Sequence, residues 1–427
     1  MQSSQRIIKA GDVNIDIIQI TTAQGFYQNV TNQVMGLQLF EDLFSPFLTG
    51  TLEIVDTLDL MNVFPFNGEE YLEMKILTPT MEKGNIDAKF YIYKMTNRVM
   101  TGDRSTVYTL HFISVEALTD LNTKISKTFT GKCSDIAQRL FIDKTHGLNV
   151  TKKYVVEETK NSTKYISNFW SPVKNLNNLV EKSINLNNQS SYVFYENRYG
   201  FNFVSLETLY TAPIFQEFVY DTYIRDKSNN NQYQTIRNVT EDYKRIREIN
   251  IPTAYDYIER VQSGMYGSRM YTHDLTSKLY ANKTYNMLDK FADQKHLNKY
   301  PLASNKAVYS YNAMLIKMPK YHNNFADFGN STNANSIQNR MSLMAQINGN
   351  KIEVIVPGRL DYTVGLRVNL TLYKIEPSSK TDTKIKDEML SGSYLICAIN
   401  HYINKNMHQC TFELIKESLL VDLDRKK

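Results

Sequence analysis

A strict alternation of apolar and other side chains near the C-terminus constrains the fold of this chain more than any other feature. Residues 364–372 read VGLRVNLTL, with an apolar side chain at every second position. Because successive side chains of a strand point to opposite faces of a sheet, this run predicts a half-buried β-strand. Residues 106–115 alternate in the same way, but both faces carry apolar side chains. That pattern predicts a strand covered on both sides for much of its length.

Other runs rich in β-branched and aromatic residues predict further short strands. These runs are residues 13–20, 47–55, 70–76, 88–95, 191–195, 201–206, 257–261, 268–271, 351–356, 393–401 and 410–415. Hairpin turns are predicted at Glu196–Gly200 and at Asn404–Asn406. Many short strands at this spacing favour a small closed barrel or a curled sheet.

Helical spacing replaces the period of two between residues 116 and 190. Apolar residues recur at this spacing over residues 136–141, just after Ser134, which we predict to be the helix N-cap. A second apolar stripe predicts a helix over Val173–Ile184, with Trp170 as a packing anchor before it.

Three further segments complete the prediction of secondary structure. Short helices are expected over Leu58–Phe64, which Pro65 ends, and around Tyr280–Asp293. The Asn-rich residues 322–338 are expected to form a long surface loop, and residues 228–232 a loop or domain seam. The fold class is therefore predicted to be α+β and mainly β.

Composition argues against several classes of protein. The chain has 49 Lys+Arg against 44 Asp+Glu, a net charge of +5, and the two signs are interspersed. A basic face is therefore not predicted, nor is specific nucleic-acid binding. No apolar run approaches the roughly 18 residues of a membrane helix, so no membrane segment is predicted. Three cysteines without short spacings, and an N-terminus without a signal-peptide pattern, predict folding in a reducing cytoplasm.

Motifs that would indicate catalysis are missing from the sequence. Gly131-Lys132 lacks the upstream glycine and the hydroxyl of a phosphate-binding loop. The neighbouring carboxylates Glu69-Glu70 and Glu157-Glu158 are predicted to be solvated rather than paired in a cleft. Cys133 precedes a helix, but without a supporting signature it is predicted to be a small buried residue. We predict no catalytic residue, no cofactor-binding residue and no cofactor, so the chain is expected to be a structural or binding protein.

Three possible metal ligands lie close together near the C-terminus. His408 and Cys410 are two residues apart on one predicted strand, and His401 lies across the hairpin. Three such side chains could meet at a metal ion. The favoured interpretation is a strand-facing histidine pair on a hairpin, and no metal ligand is predicted.

Two ordered sets of motifs resemble a known family. The run Leu43–Asp56, LFSPFLTGTLEIVD, followed by residues 64–72, FPFNGEEYL, resembles the opening of baseplate central hub proteins of T-even-type contractile-tailed phages. Val356-Pro357-Gly358, residues 364–368 and residues 390–396, followed by Asn400-His401, resemble the second barrel of hub proteins and of the type VI secretion spike family. Trp170-Ser171-Pro172 with the following helix and hairpin resembles the domain between the two barrels.

This resemblance implies a structural protein without an active site. A hub of this kind is a homotrimer, and each chain carries two β-barrel domains shaped like the tail-tube subunit. Three chains then present six similar domains and adapt a three-fold spike to a six-fold tube. The implied partners are the central spike protein, the tail-tube initiator and tube proteins, the tape measure protein and the baseplate wedge proteins. The implied location is the virion tail baseplate, assembled in the host cytoplasm.

Domain boundaries follow from the same reasoning. We predict a first tube-like barrel at residues 1–125, completed by about 205–245, and an inserted mixed α/β domain at 126–205. Residues 246–340 are predicted to start the second barrel with a helical and loop insertion, and residues 341–427 to complete it. Alternatives are a hexameric tube-initiator or distal tail ring protein and a tail-associated cell-wall hydrolase.

Overall fold

The computed structural model describes most of the chain. The described residues are 9–63, 67–79, 81, 84–101, 105–220, 239–253, 256–274, 278–304, 315–319, 336–374, 385–405 and 407–424. Within them, no helix has the length and hydropathy that crossing a membrane would require.

Strands dominate the first half of the chain. They are β1 (Asn14–Thr21), β2 (Tyr27–Asn29), β3 (Val34–Asp42), β4 (Thr49–Asp56), β5 (Tyr71–Leu77), β6 (Ile86–Met100), β7 (Thr106–Ser114), β8 (Ile125–Lys132), β9 (Tyr154–Val156), β10 (Ser162–Trp170), β11 (Tyr192–Asn197), β12 (Gly200–Ser205) and β13 (Gln216–Tyr220). The helices here are α1 (Leu60–Val63), α2 (Glu116–Asn122), α3 (Cys133–Ile142), α4 (Pro172–Lys182) and α5 (Leu206–Thr211).

Strands and short helices alternate in the second half. The strands are β14 (Glu248–Thr253), β15 (Gly267–Asp274), β16 (Leu279–Asn286), β17 (Tyr300–Pro301), β18 (Leu315–Pro319), β19 (Lys351–Pro357), β20 (Arg367–Leu372), β21 (Gly392–Asn404), β22 (Met407–Ile415) and β23 (Ser418–Leu419). The helices are α6 (Val239–Asp242), α7 (Tyr257–Gln262), α8 (Met287–Phe291) and α9 (Ile337–Ile347).

Seven strands, in the order β3-β4-β7-β6-β5-β1-β2, form what we call the N-terminal sheet. Their inward side chains build one hydrophobic core, and on β4 this alternation buries Leu52 and Ile54 while Glu53 is exposed. The same alternation buries Tyr108, Leu110 and Phe112 of β7, whereas the other face of that strand is only half-buried. Because the side chains of this core come mainly from one face of a single sheet, the sheet must curl around them.

Six strands, in the order β14-β19-β22-β21-β20-β13, form the C-terminal sheet around a second core. An isolated bridge between Val219 and Arg245 brings β13 beside the segment that leads into β14. The Val219 N–H donates to the Lys244 carbonyl at 2.9 Å. The predicted class, α+β and mainly β, is confirmed. Between β14 and β2 the described strands pair along one open path rather than as two separate closed rings.

A mixed layer lies between the two sheets. Its strand β11 is buried on both faces, with Tyr192 and Phe194 in the core under α3 and α4. Val193 and Tyr195 of the same strand belong to the core of the C-terminal sheet. A fourth, smaller cluster joins the β15–β16 hairpin to residues 300–303 and Leu419.

Two predicted elements between residues 257 and 293 are wrong. The segment predicted to be extended from Tyr257 forms α7, because Asp256 caps it by accepting the Glu259 N–H at 2.9 Å. The helix predicted around Tyr280–Asp293 is helical only at Met287–Phe291. Its first part is strand β16, which pairs residue for residue with β15.

Other boundaries also differ from the prediction. The N-cap of α3 is Lys132 rather than Ser134. The Ser134 N–H, which lies in the first turn and has no partner within the helix, donates to the Thr159 hydroxyl at 3.0 Å. Ser336 is the N-cap of helix α9, and residues 337–338, predicted to lie in a loop, begin this helix. Residues 322–335 and the predicted seam at 228–232 lie outside the described residues. The segment 205–245, predicted to complete the first barrel, instead contributes β13 to the C-terminal sheet, where it pairs with β20.

Candidate functional site at the junction of the two sheets

One strand connects the two sheets. The start of β21, residues 392–395, pairs with β20 of the C-terminal sheet. Its second half, residues 398–403, pairs with β3 of the N-terminal sheet. Both halves pair with β22, and the register shifts between Ile396 and Ala398. Such a bulge re-aims a strand, so this shift lies where β21 leaves one sheet and enters the other.

A buried charged group lies beside this change of partner. Glu41 of β3 and Arg198 of the β11–β12 turn form an ion pair, with Oε1 and Nε 3.2 Å apart. The second carboxylate oxygen of Glu41 accepts the Thr363 hydroxyl and, at 3.2 Å, the Val364 N–H. Burial raises the pKa of Glu41, and the Arg198 charge opposes this shift. The N-terminal sheet, the mixed layer and the C-terminal core are thereby held together by one carboxylate.

A second buried charge network ties the mixed layer to the N-terminal sheet. Lys152 Nζ lies 2.8 Å from Glu116 Oε2 and 2.6 Å from Glu196 Oε1. The other oxygen of Glu196 accepts the Leu48 N–H at 2.9 Å. Burial raises the pKa of Glu196, and the Lys152 charge opposes this shift. Buried charges require partners of this kind, so the network specifies how the two parts are oriented.

The three possible metal ligands meet on the β21–β22 pair, next to the Glu41 group. His401 lies directly opposite Cys410 in the register, and His408 is two residues earlier on the same strand face. His401 Nδ1 lies 3.1 Å from His408 Nε2, and Cys410 Sγ lies 3.3 and 3.4 Å from these two atoms. We call these residues the His–His–Cys triangle. All three are fully buried.

Burial sets the protonation of the triangle. It lowers the pKa of His401 well below the ordinary value and that of His408 to about 3, and the charge of Arg198 acts in the same direction. Burial also raises the pKa of the Cys410 thiol. At neutral pH both imidazoles are therefore neutral, which is the form that accepts hydrogen bonds or binds a metal.

Two glycines between β19 and β20 have different roles. Gly365 has a φ of +84°, in the left-handed region that favours glycine. Gly358 donates its N–H to the His408 carbonyl at 2.8 Å, and a Cβ at this position would lie 2.3 Å from the His408 ring. The N-terminal segment also contacts His408, because the His408 backbone N–H donates to the Gly11 carbonyl at 2.8 Å.

The carboxylates and the cysteine weighed as catalytic residues have structural partners. Glu157 accepts the Ser205 N–H at 2.7 Å, whereas Glu158 pairs with Lys132 at 2.5 Å. Glu70 accepts the backbone N–H groups of residues 67 and 68. Cys133 is buried in the mixed layer, and burial raises its pKa to about 11.

Sequence reasoning missed the buried charges of the junction. Strand β3 was not among the predicted strands, although Leu37, Leu39 and Glu41 share its inward face. That shared period of two is the signal that would have marked Glu41 as a buried carboxylate. Nothing in the sequence pairs Glu41 with Arg198, because the two residues are far apart in the chain and on different elements.

Comparison with known proteins agrees with the resemblance found in the sequence. No protein-family model matches the chain. The chain is 21% identical over 420 residues to a protein described as "Probable baseplate hub protein gp334" from Vibrio phage KVP40, and the match covers 92% of each chain.

Solved structures extend the comparison to the fold. The 43 kDa tail protein of prophage MuSo2 from Shewanella oneidensis aligns with a TM-score of 0.56 at 9% identity, over 94% of this chain and 98% of the other. The tail protein from Neisseria meningitidis MC58 aligns with a TM-score of 0.52 at 11% identity, over 94% and 96%. Along nearly its whole length, then, the chain is similar to a phage baseplate hub protein and folds like solved tail proteins.

Proposed function

We propose that this chain is the structural hub of a contractile phage tail baseplate and works as a ring of three copies. The observation that carries the proposal is the presence of two curled sheets, each with its own core, joined in one chain through β21. Three chains would present six such modules. A ring of this kind adapts a three-fold spike to a six-fold tail tube, and its closed symmetry limits its growth.

The two modules correspond to tube-like barrels with insertions. The first module occupies residues 1–125, and the inserted mixed domain 126–205. The second module occupies about 246–427, with its own helical and loop insertion, and β13 adds residues 216–220 to it. Four separate hydrophobic clusters support this division. In this proposal the insertions present surface to neighbours, while the modules form the ring.

A sheet edge that lacks a paired strand among the described residues supports assembly with other chains. In the described part of the chain, β5 pairs with β6 over Ile86–Tyr91, whereas β6 continues to Met100 alongside β7. We call residues 93–100 the β6 edge. Its Val99 and Met100 side chains are 56% and 77% exposed. Unpaired edges and exposed apolar groups mark interaction surfaces, so we assign the β6 edge to a contact between subunits.

The proposed partners follow from the position of a hub. They are a second and third copy of this chain, the central spike protein, the tube initiator and tube proteins, the tape measure protein and the baseplate wedges. The chain would act through shape and contact in the virion rather than through catalysis. The buried charge networks of the junction support this role, because they fix the relative orientation of the modules within each subunit.

Native mass spectrometry of the chain co-expressed with its cognate spike protein tests the proposal. We expect three copies of the chain with three copies of the spike. Six copies in a ring without spike would instead identify a tube initiator or distal tail ring protein. A stable monomer at micromolar concentration that ignores the spike would contradict both assignments. Lytic activity in a peptidoglycan zymogram would favour the cell-wall hydrolase.

A further inference from the structure

We propose that the His–His–Cys triangle binds one transition-metal ion of the kind that prefers imidazole and thiolate ligands, Zn²⁺ or Cu⁺. The ligand atoms are His401 Nδ1, His408 Nε2 and Cys410 Sγ, and they lie within 4.8 Å of one another. Thiolate and imidazole are the donors that both ions prefer. The proposal is independent of the hub function, because it rests only on these side chains and their surroundings.

The separations of the three atoms fit one face of a tetrahedral site. An ion about 2.0–2.1 Å from each nitrogen and about 2.3 Å from the sulfur requires ligand separations of about 3.3–3.6 Å. The observed separations are 3.1, 3.3 and 3.4 Å. A planar three-ligand site would need a nitrogen–nitrogen distance of about 3.5 Å, from the same bond lengths. The ion would therefore lie out of the plane of the three atoms and keep a fourth position.

Proton counting explains why an ion suits this arrangement. Each neutral imidazole carries one proton. If both protons are on the outward nitrogens, the 3.1 Å contact between His401 and His408 joins two lone pairs, and only the thiol proton lies inside the triangle. If the His401 proton turns inward, its bare Nε2 faces Glu41 Oε1, a carboxylate oxygen 3.8 Å away. If the His408 proton turns inward instead, His408 Nε2 donates to His401 Nδ1, and the bare His408 Nδ1 has no hydrogen-bond partner among the described residues. A metal ion would bind all three inward atoms at once, with both imidazole protons on the outward nitrogens.

The surroundings resemble the outer shell of a metal site. With its proton outward, His401 Nε2 lies 3.8 Å from Glu41 Oε1, too far for a hydrogen bond but on the side where a carboxylate orients a metal-binding imidazole. Burial raises the pKa of the Cys410 thiol, and a backbone hydrogen bond from Arg359 partly opposes this shift. The thiolate and Glu41 supply two negative charges against the single positive charge of Arg198. The surroundings would then carry a net charge of one negative unit, which neutralises the charge of Cu⁺ and half the charge of Zn²⁺.

An ion at this position would clip β21 to β22 just where β21 joins the N-terminal sheet. His401 lies on β21, whereas His408 and Cys410 lie on β22. Because the site is fully buried, the ion must enter during folding. The metal would then be a structural one, whose binding contributes to the stability of the folded chain.

Refolding with and without metal tests the proposal on the full chain. The chain is unfolded, stripped with a chelator and refolded with Zn²⁺, with Cu⁺ under reducing conditions, or with chelator alone, and retained metal is measured by mass spectrometry. We expect one ion per chain and a higher melting temperature than after refolding with chelator. The ion retained in a competition between the two distinguishes Zn²⁺ from Cu⁺. Refolded protein that retains neither ion would overturn the proposal.

Cobalt and matched variants locate the site. Co²⁺ bound to the wild-type chain should give a thiolate-to-metal charge-transfer band. Cys410→Ala should lose that band, whereas Cys397→Ala, which removes another buried cysteine of the same hairpin, should keep it. Glu41→Gln should keep the band but weaken Co²⁺ binding by about 10- to 100-fold. Absence of the band in the wild-type chain would contradict the site even if Cys410→Ala fails to fold.

Discussion

The junction around Glu41 and the β6 edge show opposite chemistry: buried charge at the first and exposed apolar side chains at the second. At the junction, the carboxylates of Glu41 and Glu196 are buried, and each has an oppositely charged partner, buried Arg198 and half-buried Lys152. At the β6 edge, apolar side chains are exposed, although they lie at the border of a sheet with a well-formed core. Each arrangement is costly for an isolated chain, since buried charge loses hydration and exposed apolar surface orders water.

The difference separates internal architecture from assembly. Buried ion pairs contribute little net stability, but they strongly penalise any arrangement that breaks them. The junction therefore restricts how the two sheets are oriented. Exposed apolar edges gain free energy only when another surface covers them. Substitutions at the junction should change the stability of one chain, and substitutions at the β6 edge should change association between chains.

The largest effect is expected for Arg198→Met. The change leaves Glu41 as a buried carboxylate without its cation, a loss of about 3–5 kcal/mol in the free energy of unfolding. The control is Lys89→Met, which removes an exposed ion pair with Glu73 at 3.0 Å and should cost about 0–1 kcal/mol. Urea unfolding of both variants measures the difference. Equal losses in the free energy of unfolding would show that the buried Glu41–Arg198 pair matters no more for stability than the exposed Lys89–Glu73 pair.

A smaller loss is expected for Gly358→Ala. Its new methyl group would lie 2.3 Å from the His408 ring, which must move or strain the turn. Overpacking of this kind costs about 1–3 kcal/mol. In Gly36→Ala, by contrast, the nearest atom lies 3.5 Å away and stability should change by less than about 0.5 kcal/mol. Thermal unfolding of the two variants compares them, and an unchanged melting temperature for Gly358→Ala would contradict the close approach.

Local patterns predicted much of the sheet structure. The strands predicted over residues 106–115 and 393–401 correspond to β7 and β21, because β-branched and aromatic side chains along a strand are visible in its own sequence. Helix α4 begins at Pro172, one residue before the predicted start, since Ser171 caps it and proline is tolerated in the first turn. These features depend on neighbours within a few residues of each other.

Features that depend on distant partners were not predictable in the same way. The strand at β16 looked helical because its aromatic residues do not alternate, and only pairing with β15 fixes it as a strand. The Glu41–Arg198 pair joins two elements through tertiary contact alone. The His–His–Cys triangle was visible as three candidate ligands, but the hairpin register that places His401 opposite Cys410 decides whether they meet.

Association should weaken about tenfold in the variant Met100→Asp, while stability is unchanged. A carboxylate at the β6 edge would be buried against a neighbouring chain, and about 1.4 kcal/mol of lost binding energy corresponds to this factor. Leu121→Asp is the control, since Leu121 is also exposed but lies on α2, away from the β6 edge. Analytical ultracentrifugation across concentrations measures both. Equal weakening in the two variants would remove the β6 edge from the subunit contact.

The smallest effect is a pH dependence at the second charge network. Burial raises the pKa of Glu196 above its ordinary value of 4.5, with Lys152 opposing and Glu116 adding to the shift. The folded chain therefore holds this proton more tightly than the unfolded chain. Stability from this group is fully present below pH 4.5 and is lost as pH rises through the folded pKa, by at most about 1.4 kcal/mol per pH unit.

Glu196→Gln removes that titration and isolates its contribution. The free energy of unfolding of the wild-type chain, minus that of Glu196→Gln, should fall as the pH rises from 4 towards neutrality. Urea unfolding at several pH values gives this difference directly, and titrations shared by the two chains cancel. A difference that rises with pH would mean that the charge of Lys152 lowers the pKa of Glu196 by more than burial raises it. The junction would then be held together by net attraction between charges rather than by the penalty for separating them.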